Sequence, residues 1–267
     1  MSALLHVNDA ALLLGQQRFG PFQLRLQPGE RVAILGPSGA GKSTLLKLLA
    51  RELPPASGEL VFEGRALQDW PVAALARRRA VLPQSHAVAF GLPVELVVAL
   101  GRVALGHMAR GHDGQQARIV ELALAQAQAA HLSGRRFDSL SGGEQARVQL
   151  ARVFAQTWDQ RGGLLLFDEP LAALDPGLTL ELMQAMQRFA SERGHALVAV
   201  LHDLNIALNH FERLWLLREG RILADCDAVP ACLPLLEQLY GVRLRLLRDA
   251  EGIAVLASLG RAMAQAA

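Results

Sequence analysis

One stretch of nine residues constrains the fold of this chain more than any other feature of its sequence. An apolar run at residues 32–35, which predicts a buried strand, precedes it, and a second apolar run at residues 45–49, which predicts a helix, follows it. The stretch itself matches the phosphate-binding loop pattern GxxxxGK[ST] at every fixed position. Its residues are Gly36, Pro37, Ser38, Gly39, Ala40, Gly41, Lys42, Ser43 and Thr44.

The chemistry of this loop suits a polyphosphate. Its glycines let the backbone turn so that N–H groups point inward, and the start of the following helix adds its positive dipole end. Lys42 would reach the β- and γ-phosphates, the Ser43 hydroxyl would take one position on Mg²⁺, and Thr44 would hydrogen-bond the α-phosphate. The alternative is a glycine-rich turn that only connects strand to helix, and the strand–loop–helix context disfavours it.

Composition and charge exclude several classes of protein. The 267 residues are 51% hydrophobic and only 5% aromatic, as in α/β proteins with buried parallel strands. We expect neither a signal peptide nor a membrane span, because no window approaches about 18 uninterrupted apolar residues. The net charge of +2 is interspersed, which predicts no nucleic-acid partner. Cys226 and Cys232 have no clustered metal ligands, so we expect two reduced thiols of a cytosolic protein.

The order of the predicted elements indicates an α/β fold with a doubly wound, mainly parallel sheet. Short strands with turns at Gly15 and Pro28-Gly29 predict a small antiparallel β layer at the N-terminus. Further along the chain, strands alternate with helices, which is the pattern of a parallel sheet. The strands are predicted near 80–82, 163–167, 196–201 and 214–217, and the helices near 67–79 and 178–193.

Domain organisation follows from a change in pattern inside this series. From about residue 86 to 160 strand signals vanish and Ala/Leu-rich helical patterns replace them, for example at 117–130, which predicts a helical subdomain. The sequence therefore predicts a single domain over residues 1–267. Its parts are a core with the β layer (about 1–85 and 161–220), the helical subdomain (about 86–160) and a C-terminal tail (about 221–267) with a helix at 230–239 and a β-prone end near 242–247.

A second chemical centre lies where an apolar run ends in two carboxylates. The run at residues 164–167 is followed by Asp168, Glu169 and Pro170. Open α/β sheets place ligands at the carboxyl ends of their strands. Asp168 suits the Mg²⁺ shell, and Glu169 suits a residue that polarises a water for attack on a γ-phosphate. Two acids at a strand end also occur as plain turn residues, and the phosphate loop favours the functional interpretation.

A third stretch, Leu-Ser-Gly-Gly-Glu at residues 140–144, opens a helix predicted over 145–156. Glycines and a serine at a helix start form an anion-binding nest. The same residues also suit an ordinary capped helix, so this stretch alone is ambiguous.

Together these motifs resemble the ATP-binding cassette (ABC) ATPases over residues 1–220. The resemblance rests on the phosphate loop, Gln84 after a short strand, residues 140–144, the strand that ends Asp168-Glu169-Pro170, the run Ala173-Leu174-Asp175, and His202-Asp203 after a strand. These six motifs have the order and spacing of that family. The resemblance implies a P-loop cassette fold, ATP as the nucleotide and Mg²⁺ as its ion.

The resemblance also implies roles for single residues. In this family two cassettes pair head to tail, so one copy's Ser141, Gly142 and Gly143 would contact the γ-phosphate held by the other copy's loop. Glu169 resembles the catalytic base and His202 the residue that contacts the γ-phosphate. Asp175 would couple the two sites of the dimer, and Gln84 would join the Mg²⁺ and water shell. A subunit that binds ATP without hydrolysing it would lack Glu169 or His202, and both are present.

Two positions depart from the family pattern. Glu144 stands where the family usually has glutamine, and Gln145 follows it, so a contact made by that glutamine is in question. The family usually stacks adenine on an aromatic residue, but that position falls near Leu12 and Leu13. Phe19 and Phe22 are expected to face the core, so we expect apolar packing against adenine.

The subfamily that this chain resembles most serves importers of iron chelates, haem and cobalamin. The run at residues 141–153 and an extra loop at 157–163 are most similar to haem-importer cassettes, with cobalamin as the first alternative and ferric siderophores as the next. The implied partners are a membrane permease, contacted through a groove near residues 84–105, and indirectly a periplasmic binding protein. The implied location is the cytoplasmic face of the bacterial inner membrane. A non-transport ABC ATPase is disfavoured because coiled-coil inserts and a second cassette are absent from the sequence.

Overall fold

The computed structural model describes residues 3–84, 91–105, 114–248 and 254–261. In chain order, its helices are α1 (Lys42–Leu49), α2 (Val72–Arg78), α3 (Val94–Ala99), α4 (Gly114–Gln126), α5 (Gly142–Thr157), α6 (Pro176–Arg193), α7 (Leu204–His210) and α8 (Leu233–Tyr240). Its strands are β1 (Leu5–Leu14), β2 (Gln17–Leu26), β3 (Arg31–Leu35), β4 (Ser57–Phe62), β5 (Arg65–Ala66), β6 (Arg79–Leu82), β7 (Leu164–Asp168), β8 (Ala196–Val200), β9 (Arg213–Arg218), β10 (Arg221–Asp227), β11 (Val242–Arg248) and β12 (Ala254–Arg261).

The chain divides into two compact units. One comprises Met1–Leu4, Gln27–Gly29 and Asp69–Leu197, and we call it the helical unit. The other comprises Leu5–Leu26, Glu30–Gln68 and Val198–Ala267, and we call it the loop unit because it holds the phosphate loop. The last crossing of the chain from the helical unit to the loop unit falls within β8, between Leu197 and Val198.

The loop unit contains the predicted antiparallel layer and part of a parallel sheet. The antiparallel layer has the strand order β2-β1-β4-β5. In the other sheet β9 lies between β10 and β3, parallel to β3 and antiparallel to β10. The Leu201 amide, just after β8, donates to the Ile34 carbonyl of β3 at 3.1 Å. The carboxyl ends of β3 and β8 therefore lie side by side in this unit.

The C-terminal part of the loop unit is more regular than its sequence suggests. The β-prone end is the hairpin β11–β12, with Leu246 paired to Leu256. Strand β10 was not predicted, since its alternation is weak and none of its residues is buried. The predicted helix at 230–239 is a short 3-10 turn at Pro230–Cys232 followed by α8. Cys226 and Cys232 are both free thiols.

In the helical unit, helices surround a short pair of parallel strands. Strands β6 and β7 are parallel, with Val81 paired to Leu166, and every residue of β7 is buried. Helices α5 and α6 pack through the stacked rings of Phe154 and Phe189, whose centroids are 4.1 Å apart. The helix predicted near 67–79 begins later, at Val72, because Pro71 occupies its N-cap position. No helix among the described residues is long and apolar enough to cross a membrane.

Candidate active site

The phosphate loop has the predicted position between β3 and α1. The four apolar residues of β3 are fully buried, so this strand forms a rigid base for the loop. Gly39 and Gly41 have φ values of +77° and +96°, in the left-handed region that glycine adopts without steric cost. Gly41, which has no side chain, occupies the N-cap position of α1. The start of α1 thus presents backbone groups rather than a side-chain cap to a ligand.

Close packing explains why two of the loop positions must be glycine. A Cβ atom on Gly36 would lie 2.3 Å from the Leu217 carbonyl oxygen, and one on Gly41 would lie 2.7 Å from the Phe19 ring. Real Cβ atoms essentially never come within 3.0 Å of such atoms. The loop is therefore held against β9 and Phe19 by contacts that leave room for no side chain.

The Lys42 side chain hydrogen-bonds back to the start of the loop. Its ammonium donates hydrogen bonds to the carbonyls of Gly36 at 2.8 Å and Pro37 at 3.1 Å, and its side chain is buried. An ammonium held this way lies inside the curve of the loop, where a phosphate chain would place its oxygens. The geometry fits the predicted role of Lys42 as a phosphate ligand.

The two carboxylates predicted at the end of β7 are in the helical unit. Asp168 is the last residue of β7 and is buried, at 4% exposure. Glu169 follows it with φ +50°, a conformation that is uncommon for a residue other than glycine. The Gln84 amide donates to the Glu169 carboxylate at 2.7 Å. Two residues that are 85 positions apart and were each predicted as functional are thus in direct contact.

His202 lies in the loop unit at the carboxyl end of β8. Its predecessor Leu201 is bonded to Ile34 of β3, so His202 follows the edge from which the phosphate loop also leaves. The next residue, Asp203, caps α7 by accepting from the amides of Asn205 at 2.7 Å and Ile206 at 3.1 Å. The cap fixes the start of α7 and therefore also the backbone next to His202.

The Ser-Gly-Gly motif begins α5 and borders a pocket of about 500 Å³ in the helical unit. Ser141 is the N-cap of α5, and Asp175 is the N-cap of α6, where it accepts from the Leu178 amide at 3.0 Å. Both helix starts face the same pocket, whose lining includes Gly143 and Arg147. The structure therefore brings together two motifs that the sequence placed in separate stretches.

Glu144 has a structural role in this motif. Its carboxylate accepts from the Ser141 amide at 2.8 Å, and its own amide donates to the Ser141 hydroxyl at 3.3 Å, which completes a capping box. The pKa of Glu144 is lowered by the Ser141 backbone and hydroxyl and then by Arg135, whose guanidinium donates to it at 2.7 Å. The glutamate at this departure from the family pattern thus holds Ser141 in place. The S-x-x-E spacing in the sequence could have indicated this.

The sequence predicts apolar packing against adenine near Leu12 and Leu13. Phe19 and Phe22 are buried, as expected, and neither is available for stacking. Leu13 at the end of β1 is 60% exposed, so it offers an apolar side chain at the place where the family has an aromatic ring. Apolar packing against adenine stays a prediction.

Comparison with known proteins identifies the family. A family model for ABC transporters matches residues 19–172, more than half of the chain. The chain belongs to the ABC transporter family. The matched range includes the phosphate loop, Gln84, the Ser-Gly-Gly motif and the Asp168-Glu169 pair, so the family assignment covers most of the residues described above.

Similar proteins include ATP-binding subunits of this family. The hemin import ATP-binding protein HmuV of Pseudomonas aeruginosa is 51% identical over 201 residues, which is 74% of this chain and 76% of that protein. A chain from a metal-chelate type ABC transporter in an inward-facing conformation superposes with a TM-score of 0.81 at 23% identity, covering 97% of this chain and 98% of that one. This likeness confirms the predicted fold class.

A third relative is a solved ABC cassette with hydrolysis products. The ATP-binding cassette MJ0796, a dimer in a post-hydrolysis state with ADP and Pi, gives a TM-score of 0.72 at 25% identity, over 84% of this chain and 99% of that one. The family therefore includes cassettes that bind nucleotide as dimers.

Proposed function

We propose that this chain is the ATP-hydrolysing subunit of an ABC importer, with haem as the cargo. The observation that carries the ATPase is the 2.7 Å contact between Gln84 and Glu169, which sets a carboxylate at the end of a buried strand. The cargo is supported by the 51% identity to a hemin import ATP-binding protein. Family membership supports the coupling of hydrolysis to transport.

Binding of ATP is assigned to the loop of residues 36–44. Lys42 already hydrogen-bonds two loop carbonyls from inside the curve, and on binding it would exchange these for phosphate oxygens. The gain is electrostatic, because a charged donor to a phosphate makes a stronger bond than the same donor to a carbonyl. The loop glycines let backbone amides approach the phosphates directly.

Magnesium fits the donor set of this chain. The described residues contain no group of three or more His, Cys, Asp or Glu side chains that could hold a metal ion alone. Mg²⁺ is commonly bound through only one or two carboxylates, while phosphates and water complete much of its shell. Ser43, Gln84 and Asp168 would hold it. When bound, the ion would neutralise charge on the β- and γ-phosphates.

Glu169 is proposed as the general base, and Gln84 as the residue that orients it. The carboxylate would accept a proton from the attacking water, while the Gln84 amide fixes which oxygen faces that water. His202 is proposed to contact the γ-phosphate. The predicted base is thus held by the side chain of a residue that follows β6.

A head-to-tail dimer would complete each site. Ser141 and Gly143 line a pocket with Asp175, and the phosphate-binding loop belongs to the other unit. A second copy would supply that loop, with its nucleotide, to this helix start. The solved MJ0796 cassette is a dimer, which supports the pairing of two copies.

Coupling to a membrane permease is proposed for the surface that follows Gln84. Part of it, residues 85–90, lies outside the described residues. In the described part, the exposed side chains of Leu96, Leu100 and Val103 give α3 and the turn after it an apolar surface. A peripheral subunit on the cytoplasmic face of the inner membrane would offer this surface to the permease, and a periplasmic binding protein would act on the other side.

The test is purification of tagged protein from detergent-solubilised native membranes, followed by ATPase assays with candidate cargo. Wild-type protein should bring down a polytopic permease, and a haem-loaded binding protein should stimulate hydrolysis. Stimulation by cobalamin or a ferric siderophore instead would keep the importer and overturn the cargo. Recovery of soluble or nucleic-acid partners alone would overturn transport, and the Glu169→Gln variant controls for contaminating ATPases.

A further inference from the structure

Tyr240 connects the C-terminal helix α8 to the first residue of the phosphate loop. The Gly36 amide donates a hydrogen bond to the Tyr240 hydroxyl at 3.0 Å, across 204 positions of sequence. Both residues belong to the loop unit. Tyr240 lies beyond the segment that matches the family model, so the family match assigns it no role.

The Gly36 amide has few other possible partners. Gly36 is buried, and its Cα is pressed so closely against Leu217 that no side chain fits there. A buried backbone N–H that loses its acceptor costs free energy, or forces the backbone to turn toward another acceptor. At this residue such a turn would move the junction of β3 with the loop.

The same residue carries the carbonyl that anchors Lys42. The Lys42 ammonium donates to the Gly36 oxygen at 2.8 Å, while the Gly36 nitrogen donates to Tyr240. A reorientation of Gly36 would therefore also displace the anchor of Lys42. Farther along the loop, the Gly220 amide donates to the Ala40 carbonyl at 3.0 Å. The loop is thus held at both ends by residues after position 216.

We propose that Tyr240 is a positioning residue for the phosphate-binding loop, and that the C-terminal segment thereby sets the affinity of this chain for ATP. The proposal rests on the proposed function, since it assumes that the loop binds ATP. Burial raises the pKa of Tyr240 to about 12, so the hydroxyl stays neutral at working pH and remains an acceptor of constant charge. A phenylalanine would keep the ring and remove only the acceptor.

The first experiment compares Tyr240→Phe with the wild type in full-length protein. We expect the Kd for ATP and the KM to rise about tenfold with kcat changed much less, since a loop that must reorder weakens binding before it affects chemistry. The matched control is Glu237→Gln on the same helix, which weakens the 2.7 Å bond from the Leu244 amide without touching the loop. Equal effects of the two variants, or an unchanged Kd in a folded Tyr240→Phe, would overturn the proposal.

The second experiment needs no variant of Tyr240. Since Tyr240 is the only tyrosine in the chain, protein grown with ¹³Cζ-tyrosine gives one NMR resonance that reports on this hydroxyl. Saturating ATP should shift that resonance in the wild type and leave it unchanged in Lys42→Ala. A resonance that stays fixed while ATP binds would overturn the coupling. Failure of the wild type to bind ATP at all would instead overturn the proposed function.

Discussion

Glu169 combines a left-handed backbone with a fixed carboxylate. Its φ of +50° turns the chain directly after β7, and the Gln84 amide holds one of its oxygens at 2.7 Å. A non-glycine residue in this region is strained by about 1 to 3 kcal/mol, and such strain persists where the surroundings enforce it. This fixed carboxylate is the group that the proposed function assigns as the general base.

Replacement of this carboxylate by an amide should separate binding from hydrolysis. Glu169→Gln keeps the size of the side chain but removes the proton acceptor, so we expect hydrolysis to fall by about 10² to 10⁴-fold while ATP still binds. Size-exclusion chromatography with ATP should show a stabilised dimer. Glu121→Gln, a carboxylate on the exposed face of α4, serves as the control. Hydrolysis by Glu169→Gln at the parental rate would show that the base is another residue.

Among the described residues of the helical unit, His195 is a buried histidine, at 1% exposure. Its Nδ1 accepts from the Gly163 amide at 2.7 Å. Burial, and then the charges of Arg193 and Arg78, lower its pKa from 6.5 to about 4. The imidazole of His195 is therefore neutral in the native state.

Proton binding at His195 determines how the stability of the protein changes with pH. Between pH 6.5 and about 4 the unfolded chain binds a proton at His195 and the native protein does not, so stability falls as pH falls through this window. The slope is at most about 1.4 kcal/mol per pH unit. His195→Asn keeps an acceptor for Gly163 and should flatten this limb in urea denaturation at pH 5 and 7. His131→Asn, at an exposed histidine, should leave it unchanged, and an equally steep limb in both variants would contradict the assignment.

Helix α5 shows how one element can serve structure and site together. Ser141 and Glu144 close a capping box, and the same helix start lines the pocket shared with α6. Ser141→Ala should lower the free energy of unfolding by about 1 kcal/mol, the usual cost of losing an N-cap. Hydrolysis should fall by far more than this loss explains, because the hydroxyl would also contact the γ-phosphate.

The control for this variant is a serine in the preceding turn. Ser139 donates its hydroxyl to the Arg136 carbonyl at 2.7 Å and is absent from the pocket lining. Ser139→Ala should therefore affect stability alone, as measured by chemical denaturation beside an ATPase assay. If Ser141→Ala lost no more hydrolysis than Ser139→Ala, Ser141 would act only as a helix cap.

Elements with strong local signals could be predicted from the sequence. Strands β7 and β8 combine apolar runs with glycine or acidic boundaries, and each was predicted within one residue of its observed bounds. The phosphate loop was also located correctly, although α1 begins at Lys42, three residues before the predicted helix. Strand β10 was missed because its partner β9, rather than its own pattern, stabilises it. The contact of Tyr240 with Gly36 was also beyond prediction, since a pairing across most of the chain leaves no periodicity.

At the scale of the whole molecule, the division of the motifs between two units has a consequence for assembly. The phosphate loop belongs to the loop unit, and the Ser-Gly-Gly motif belongs to the helical unit. In a head-to-tail dimer each site would take its loop from one copy and its Ser141 from the other. Two inactive copies that carry different substitutions could then form one intact site. If each site were built within one chain, two such copies would form none.

Mixed dimers purified through two different tags test this arrangement. Lys42→Ala paired with Ser141→Ala should hydrolyse ATP, because the intact loop of one copy meets the intact Ser141 of the other. Wild type paired with the double variant Lys42→Ala/Ser141→Ala should be inactive, because each site then contains one defect. Both pairs contain the same substitutions in the same number, so stability cannot explain a difference between them. The reverse order of activities would show that each chain builds its own site.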